Sequence, residues 1–510
     1  MTDAAAPKLK DLIGSVSPPW EEIGSILRSR PTEYLSAECQ ASQNDYHGQS
    51  LLHNVLMGNY QSPAPPDVVR GLIEAYPPAV SHQDSTGQSA IYYACYYRSS
   101  PETLRALLKP FRDAANSPLS EPISYWSHPA RRGAEHGSLP LHVAFEPHAA
   151  LELLDVYPEG VSVRDKEGEI PLHSVVSWGE AGAARILVRA GIEQNVGGVI
   201  GAGGALVRDK YGKTPLDRAC EHVVTFSTRA GAPAVPMDPR KAFVFVRGPV
   251  SGHAPLCDLE GEEVRGIWDK CLAMLEACHW SEAKCAGKHA DCVTAAGAGL
   301  STLPPFRALH TAVTMRCPPE IVWHAAARNL DLVCARDERG RTPLHLVAVA
   351  AGERKRRDPR GRTGHHHLRP RGTFEDDSDD DEVADYNEHI DEIADMLLHS
   401  SSFGSTQPAR MADRDGRLPL HLAALCGTGF KLNNLPFGPQ GGCLEKILRA
   451  DPSALETRDS QGMYPFMLAA VSVGDIVSSL VGKSGVSKRG EIDTIYGLLR
   501  EAPTVIEMCV

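Results

Sequence analysis

The sequence has few aromatic residues, no excess of positive charge and no long apolar run. Aromatic side chains make up 6% of its 510 residues, and Lys plus Arg (52) are outnumbered by Asp plus Glu (64), which gives a formal net charge of −12. This balance argues against a folded part that binds nucleic-acid phosphates. No stretch approaches the ~18 consecutive apolar residues of a membrane helix, and residues 1–10 lack the apolar core of a signal peptide. We therefore expect neither a membrane span nor secretion.

A disulfide framework is not indicated either. The 13 cysteines are odd in number and scattered along the chain, which fits reduced thiols in the cytoplasm or nucleus better than paired cysteines outside the cell. By contrast, Pro (38) and Gly (45) are plentiful, and this is typical of many short helices joined by turns. A chain of this length exceeds what one hydrophobic core can bury, so it must form several domains or a repeat array.

One short motif recurs along the chain. In a full form, Asp165 and Gly168 are followed by Pro171, Leu172 and His173. The Asp side chain can accept N–H groups of a turn, and the Gly can adopt a backbone conformation that other residues avoid. The Pro suits the first position of a helix, where its missing N–H costs nothing. The motif recurs in nine registers, which we align on Gly48, Gly87, Gly137, Gly168, Gly212, Leu309, Gly340, Gly416 and Gly462.

Some registers depart from the motif. In the third, Ala134 stands where the Asp is expected, and the sixth keeps only residues 308–312 without the turn. Asp217 replaces the histidine in the fifth register, which predicts a looser unit there. Two positions after the histidine site, six registers have the small residue that close helix packing requires: Ala94, Ala144, Ala219, Ala312, Ala423 and Ala469.

A second helix is predicted after each first helix, because apolar residues follow at three- and four-residue spacing. Such a turn with two helices and a Thr-Pro-Leu-His start resembles the ankyrin repeat, most closely at residues 337–348 and 413–424. The resemblance implies an all-α solenoid of about eight or nine helix-turn-helix units with short turn fingers. It also implies that the repeated histidine is structural and hydrogen-bonds within and between turns. A separate helix over residues 20–30 is predicted to cap the stack.

Several spacings exceed the ~33-residue period of that family, so the array is predicted to carry insertions. Residues 353–382 combine a basic run, three histidines and an acidic run, a composition that predicts disorder. The predicted organisation is a capping region at 1–43, units one to five at 44–223, a Pro/Gly-rich insertion at 224–263, the second helix of unit five at 264–280, an Ala/Gly/Cys-rich insertion at 281–303, units six and seven at 304–352, a disordered insertion at 353–385, and the remaining units with a C-terminal cap at 386–510.

Candidate chemistry is sparse, and we predict no catalytic residue, cofactor or metal. The histidines occur one per unit, whereas a catalytic site needs its groups within a few ångströms of each other. A zinc site in one insertion remains the alternative, although zinc ligands usually come as close Cys-x2–4-Cys pairs. Its candidate ligands are a cysteine series at seven-residue spacing and two nearby histidines: Cys271, Cys278, Cys285, Cys292, His279 and His289.

Two further motifs suggest phosphate or nuclear roles. Residues 197–204 are glycine-rich and Gly482-Lys483-Ser484 resembles the end of a phosphate-binding loop, but neither follows a predicted strand as that reading requires. We interpret 197–204 as a lengthened connecting loop and reject the second motif. The basic run 354–357 could serve nuclear import or contact DNA, and this nuclear regulator is the second alternative. Ser378, flanked by acidic residues, is a candidate phosphorylation site.

The predicted function is that of a non-catalytic protein-interaction scaffold or adaptor. The resemblance implies a concave binding surface formed by the finger tips and the first helices. We expect unidentified protein partners, no nucleic acid, no membrane insertion, a monomer, and a location in the cytoplasm with the nucleus as alternative. The predicted partner-binding residues are the pairs between the Asp and Gly of each finger: Ser85, Thr86, Lys166, Glu167, Lys210, Tyr211, Glu338, Arg339, Arg414, Asp415, Ser460 and Gln461.

Overall fold

The computed structural model shows an all-α fold, as predicted. It describes residues 8–15, 17–30, 32–42, 48–57, 64–115, 137–229, 262–285, 307–328, 330–356, 390–399, 407–426, 442–471 and 489–504. Within these ranges no β-strand occurs, and an isolated antiparallel bridge joins Gln83 and Ser89. The chain divides into two compact units, unit 1 with residues 1–222 and 261–299 and unit 2 with residues 223–260 and 300–510.

Unit 1 consists of short helices that follow one another in pairs. Their bounds are α1 Leu9–Ile13, α2 Trp20–Ser29, α3 Thr32–Ser42, α4 Leu51–Met57, α5 Pro66–Ala75, α6 Ala90–Tyr96, α7 Pro101–Ala115, α8 Pro147–Val156, α9 Pro171–Trp178, α10 Ala181–Glu193, α11 Pro215–Arg229 and α12 Glu262–Cys285. Helix α11 begins in unit 1 and runs past its boundary. A single 3₁₀ turn, Pro140–Val143, stands where the first helix of the third register is predicted.

The helices of unit 1 pack in two rows. First helices contact first helices, as α4 does with α6, and second helices contact second helices in the order α5, α7, α8, α10 and α12. The row is held by apolar stripes such as Leu104, Leu107 and Leu108 on α7, each 0% exposed. Because each helix has an apolar face too wide to bury alone, its neighbour supplies the cover. At the N-terminal end α1 covers α4 and α2 covers α5.

The third register differs from the prediction of a first helix. Only the 3₁₀ turn Pro140–Val143 forms, and it packs between α6 and α9. The cause lies in Pro147, because a proline forces the residue before it out of the helical region. Glu146 is accordingly extended, with φ −105° and ψ 148°. The helix therefore stops after one turn, and α8 starts at once.

Lys270 on α12 attaches this helix to the first helix of the fourth register. Its ammonium group donates a hydrogen bond to the carbonyl oxygen of Val176 on α9 at 3.0 Å, and the residue is only 9% exposed. Burial lowers the pKa of Lys270, as does the positive charge of Arg98. Helix α12 also packs against α10, the position that a second helix of the fifth register would occupy.

Replacement of Lys270 by Met is expected to destabilise unit 1 by about 1–2 kcal/mol, because the apolar volume is kept while the Val176 carbonyl loses its donor. Urea unfolding followed by circular dichroism measures this change. The exposed Lys109 on α7 provides the control, since Lys109→Met should change stability by less than about 0.5 kcal/mol. Equal effects of both substitutions would show that the hydrogen bond from Lys270 does not contribute to the stability of unit 1.

Unit 2 repeats the arrangement of unit 1. Its helices are α13 Ala308–Thr314, α14 Pro319–Arg328, α15 Pro343–Arg356, α16 at residues 390–399, α17 Pro419–Leu425, α18 Cys443–Ala450, α19 at residues 465–471 and α20 Arg489–Glu501. First helices again contact first helices, with α15 between α13 and α17. Leu309, Leu344 and Leu420, at equivalent positions of three registers, are each 0% exposed.

Three helices extend beyond the predicted element boundaries. Helix α11 continues to Arg229, α12 continues to Cys285, and α15 continues to Arg356. Each extension continues an existing helix into a sequence that lacks apolar periodicity, and periodicity was the signal used to predict the ends. Most of the three predicted insertions lies outside the described residues, so the predicted domain boundaries and the predicted disorder stay predictions.

Candidate functional site

The finger turns have one geometry throughout the described chain. In six of them the Asp Oδ1 accepts the backbone N–H groups two and four residues later, at 2.8–2.9 Å. These residues are Asp84, Asp165, Asp209, Asp337, Asp413 and Asp459. All eight predicted glycines have a positive φ, from 62° at Gly48 to 83° at Gly212. Both predictions from the motif are confirmed, whereas Asp45 and Ala134 lie outside the described residues.

Each repeated histidine connects its own turn to the next. The Nδ1 atom accepts the backbone N–H three residues earlier, at 3.0–3.2 Å, in His53, His142, His173, His345 and His421. The Nε2 atom faces a backbone carbonyl of the following unit at 3.0–3.3 Å, and it does so in His310 as well. Because Nδ1 accepts, Nε2 must carry the proton and donate it. These histidines are neutral structural bridges, as the sequence predicted.

Burial favours the uncharged imidazole in five of these histidines. It lowers the pKa of His53 and of His310 to about 4, and it lowers the pKa of His173, His345 and His421 as well. Both ring nitrogens of a typical member are already committed to backbone groups. Such a ring has no free nitrogen for a substrate proton.

The fifth and sixth registers show what happens when part of the motif is missing. In the fifth, Asp217 accepts the Thr214 N–H at 2.8 Å and its own N–H donates to Thr214 Oγ1 at 3.1 Å. A carboxylate can close its own turn but has no proton for a neighbouring carbonyl. In the sixth register the sequence lacks the Asp and Gly of the turn, and residues 301–306 lie outside the described residues. Nδ1 of His310 is buried without a hydrogen-bond partner in the described chain.

The predicted finger-tip residues lie at the surface. Ten of the twelve are exposed, and Thr86 and Glu167 are partly buried. Neighbouring tips are joined through the backbone: the Lys210 N–H donates to the Glu167 carbonyl at 3.0 Å, and the Arg414 N–H donates to the Arg339 carbonyl at 2.9 Å. The structure therefore brings successive tips side by side, while their role in binding stays a prediction.

An aromatic patch, which sequence reasoning missed, lies on unit 1. Helix α6 carries tyrosines in two stacked pairs four residues apart, Tyr92 with Tyr96 and Tyr93 with Tyr97, at 6.3 and 6.2 Å between ring centroids. Tyr96 is 47% exposed and also contacts Phe145 at 6.4 Å. The Tyr-Tyr-x-x-Tyr-Tyr spacing, in a chain with few aromatics, was the available signal. We define the aromatic patch as Tyr92, Tyr96, Tyr97, Phe145 and Trp178.

Trp178, the last residue of α9, extends the patch to the fourth register. It is 73% exposed, the largest exposed fraction of any large apolar side chain in the described chain. The backbone that follows it is joined to the third register, because the N–H of Glu180 donates a hydrogen bond to the Phe145 carbonyl at 2.7 Å. A hydrophobic residue so exposed is not explained by the packing of unit 1.

The glycine-rich segment 197–204 is a compact connection. Gly197, Gly198, Gly203 and Gly204 have positive φ values. Gly191 on α10 and Gly203 approach so closely that a Cβ on Gly191 would collide with the Gly203 carbonyl. The glycines are thus used for close packing against α10, and their backbone is not arranged around a phosphate after a strand. The motif Gly482-Lys483-Ser484 lies outside the described residues.

The described residues lend no support to the two alternative sites. Cys271 and Cys278 are buried on α12, where hydrogen bonding to Cys220 and burial raise the pKa of the Cys271 thiol. Within the part of the chain that the structure describes, no group of three or more His, Cys, Asp or Glu residues could hold a metal. Residues 354–356 of the basic run continue helix α15. The positions that complete the predicted sites, Cys292, His289, Arg357 and Ser378, lie outside the described residues.

A search for membrane-spanning helices gave no candidate among the described residues, since none is both long and apolar enough.

No protein-family model matches the chain, and no curated protein matches it. Among solved structures, 72 chains match. One is the ankyrin repeat domain of Bcl-3, described as a unique member of the IkappaB protein family. It is 20% identical over 46% of this chain and 90% of its own, with a TM-score of 0.26. At that score the likeness supports no argument, and the fold is established by the turn and helix geometry given above.

Proposed function

We propose that this protein is a non-catalytic protein-interaction scaffold, and that unit 1 binds a partner through the aromatic patch together with the finger tips of the same unit. The observation that carries the proposal is the exposure of Trp178 (73%) and Tyr96 (47%). Tyr and Trp are enriched among the residues that dominate binding energy, because they bury a large area and keep a polar group for a hydrogen bond.

The patch is held rigid before any partner arrives. The hydroxyl group of Tyr93 donates to Asp84 Oδ2 at 2.6 Å, which joins helix α6 to the finger of the second register. The stacking of Tyr93 on Tyr97 extends this support toward the patch. A preorganised aromatic surface loses little conformational entropy on binding, and this favours affinity.

The predicted finger tips of unit 1 would complete the surface. Ser85 and Lys166 are exposed on two fingers of this unit, and Lys210 and Tyr211 are exposed on a third. Tyr211 donates a hydrogen bond to Glu167 at 2.9 Å, so the third tip is held against its neighbour. We include these tips in the proposed contact surface. We also propose a monomer in the cytoplasm, with the nucleus as the alternative location.

Affinity capture with the full chain tests the proposal. The double variant Tyr96→Ala/Trp178→Ala should lose most of the protein set that the wild type retains, by about tenfold or more per partner for residues of this class. Tyr34→Ala and Tyr496→Ala are the controls, because these tyrosines are 54% and 59% exposed but lie outside the patch. Unchanged capture by the double variant, or equal losses in the controls, would contradict the proposed surface.

A further inference from the structure

Unit 2 carries arginines on neighbouring fingers. Arg339 and Arg414 occupy the tips of the seventh and eighth registers. The Arg414 N–H donates a hydrogen bond to the Arg339 carbonyl at 2.9 Å, and this places the two residues side by side. Arg336 lies at the foot of the first of these fingers. All three side chains are exposed. We call Arg336, Arg339 and Arg414 the basic finger surface.

Other arginines of the same fingers are neutralised within the fold. Arg341 binds Asp337 Oδ2 through two nitrogens, at 2.8 and 2.9 Å. Arg417 lies 3.6 Å from Asp459 Oδ2 and 3.7 Å from Asp415 Oδ2. These ion pairs place a carboxylate beside each of the two guanidinium groups. In contrast, none of the three members of the basic finger surface forms an ion pair with another described residue.

Two acidic side chains stand near the basic finger surface, Glu338 and Asp415, and both are exposed. Asp415 faces Arg417, and Glu338 also interacts with another group of the chain. The side chain of Arg414 instead lies along the backbone of Gly340, whose Cβ position would be 3.2 Å from Arg414 Cγ. The guanidinium groups of the basic finger surface therefore keep their donors available for an external acceptor.

In unit 1, by contrast, basic residues of the fingers are bonded to groups of the same unit. Lys210 forms an ion pair with Glu167. Arg164 donates to the carbonyls of Gly168 and Arg208, both at 2.7 Å, and Arg208 donates to the Gly212 carbonyl at 2.6 Å. These three basic side chains of unit 1 therefore use their hydrogen-bond donors within the fold. On the seventh and eighth fingers Arg336, Arg339 and Arg414 form no ion pair with a described residue, in a protein whose net charge is −12.

We propose that the basic finger surface of unit 2 binds an acidic segment of a partner protein. Guanidinium groups form paired hydrogen bonds with carboxylates, and adjacent arginines would bind successive acidic side chains of an extended peptide. The strongly negative protein disfavours long nucleic acids, whose many phosphates it would repel. This inference rests on the proposed scaffold function but assigns a separate surface and a partner chemistry.

Binding of fluorescein-labelled octaglutamate to the full chain, followed by fluorescence anisotropy, tests the inference. The wild type should bind at low salt, and the double variant Arg339→Glu/Arg414→Glu should bind at least about tenfold more weakly. Arg189→Glu is the matched control, because Arg189 is a strongly exposed arginine on α10, with its side chain 80% accessible. It should bind like the wild type. Circular dichroism should be unchanged in every variant.

Other outcomes overturn the inference. No binding either by the wild type or by a variant in which Glu375 to Glu382 are replaced by Gly and Ser, or equal weakening in Arg189→Glu, would exclude an acidic ligand at this surface. Tighter binding of a single-stranded DNA of similar length would favour nucleic acid instead. Binding that appears only after Glu375 to Glu382 are replaced by Gly and Ser would make the chain's own acidic run the occupant. Octaglutamate binding by Tyr96→Ala/Trp178→Ala should stay intact, so this test fails or succeeds independently of the capture experiment.

Discussion

Acidification from about pH 7.5 to about pH 5 should weaken each unit by roughly 2 kcal/mol for every bridging histidine whose pKa is about 4. His53 in unit 1 and His310 in unit 2 meet this condition. Their folded pKa lies below the unfolded value of about 6.5, so the unfolded chain takes up protons first. The stabilising contribution is complete above about pH 6.5 and is lost progressively as the pH falls toward 4.

The geometry explains the sign of this effect. In His53 the Nδ1 atom accepts the N–H of Ser50 at 3.2 Å, and a proton on Nδ1 would face that donor directly. The carboxylates of Asp84, Asp209 and Asp337 have pKa values lowered below the ordinary 3.8, so they do not titrate in this range. In unit 1, burial raises the pKa values of Asp165 and Glu146. Protonation of these two carboxyls in the folded state would oppose the loss, so the loss itself comes from the imidazoles, whose pKa values are lowered.

Urea unfolding at the two pH values measures the loss. In His53→Asn the side chain can still accept an N–H but cannot titrate, so the variant should be less stable at neutral pH and should lose about 2 kcal/mol less on acidification. Comparison of pH-induced losses, rather than of absolute stabilities, removes the general change in net charge. An identical loss in wild type and variant would show that His53 does not couple folding to pH.

Gly340→Ala should be far more damaging than Gly462→Ala, although both glycines occupy the same finger position. Their φ values are 80° and 77°, so both variants incur the left-handed strain of about 1–2 kcal/mol. A Cβ on Gly340 would also lie 2.8 Å from the Arg414 backbone nitrogen, whereas no described atom lies within 4 Å of a Cβ on Gly462. The clash disturbs the hydrogen bond between neighbouring tips, and we expect a total loss of about 3 kcal/mol for Gly340→Ala.

Two measurements check this comparison. Urea unfolding gives the difference in stability between the two variants. Hydrogen exchange at the Arg414 amide reports the hydrogen bond itself, and it should accelerate in Gly340→Ala but not in Gly462→Ala. Equal destabilisation by both substitutions would mean that the backbone contact between fingers contributes nothing beyond the strain of the turn.

The turn and its bridges could be predicted from sequence because they depend on local chemistry. Gly168 needs a positive φ, Asp165 needs nearby N–H groups, and the resemblance gave His173 its role between turns. The shortened third register was missed although its cause, Pro147, is visible in the sequence. The motif was given more weight there than the restriction that a proline places on the residue before it.

Surface features could not be predicted in the same way. The exposure of Trp178 depends on what its neighbours leave uncovered, and an apolar residue at a helix end is more often buried. Likewise, Arg339 and Arg341 lie two positions apart in one finger, yet Arg341 forms an ion pair with Asp337 and Arg339 forms none with a described residue. Which arginine pairs with Asp337 is decided by side-chain geometry, and no composition or period contains that information.

The bridge from His345 to Arg417 closes a much longer stretch of chain than the bridge from His142 to Glu169, with separations of 72 and 27 residues. Loop-closure entropy grows only with the logarithm of length, so the longer loop costs about 0.9 kcal/mol more. This is comparable to the net worth of one hydrogen bond. A fold whose neighbouring units are joined by such bridges can therefore accept a longer connecting chain between two bridged units at a small cost in free energy, as long as the bridge itself is kept.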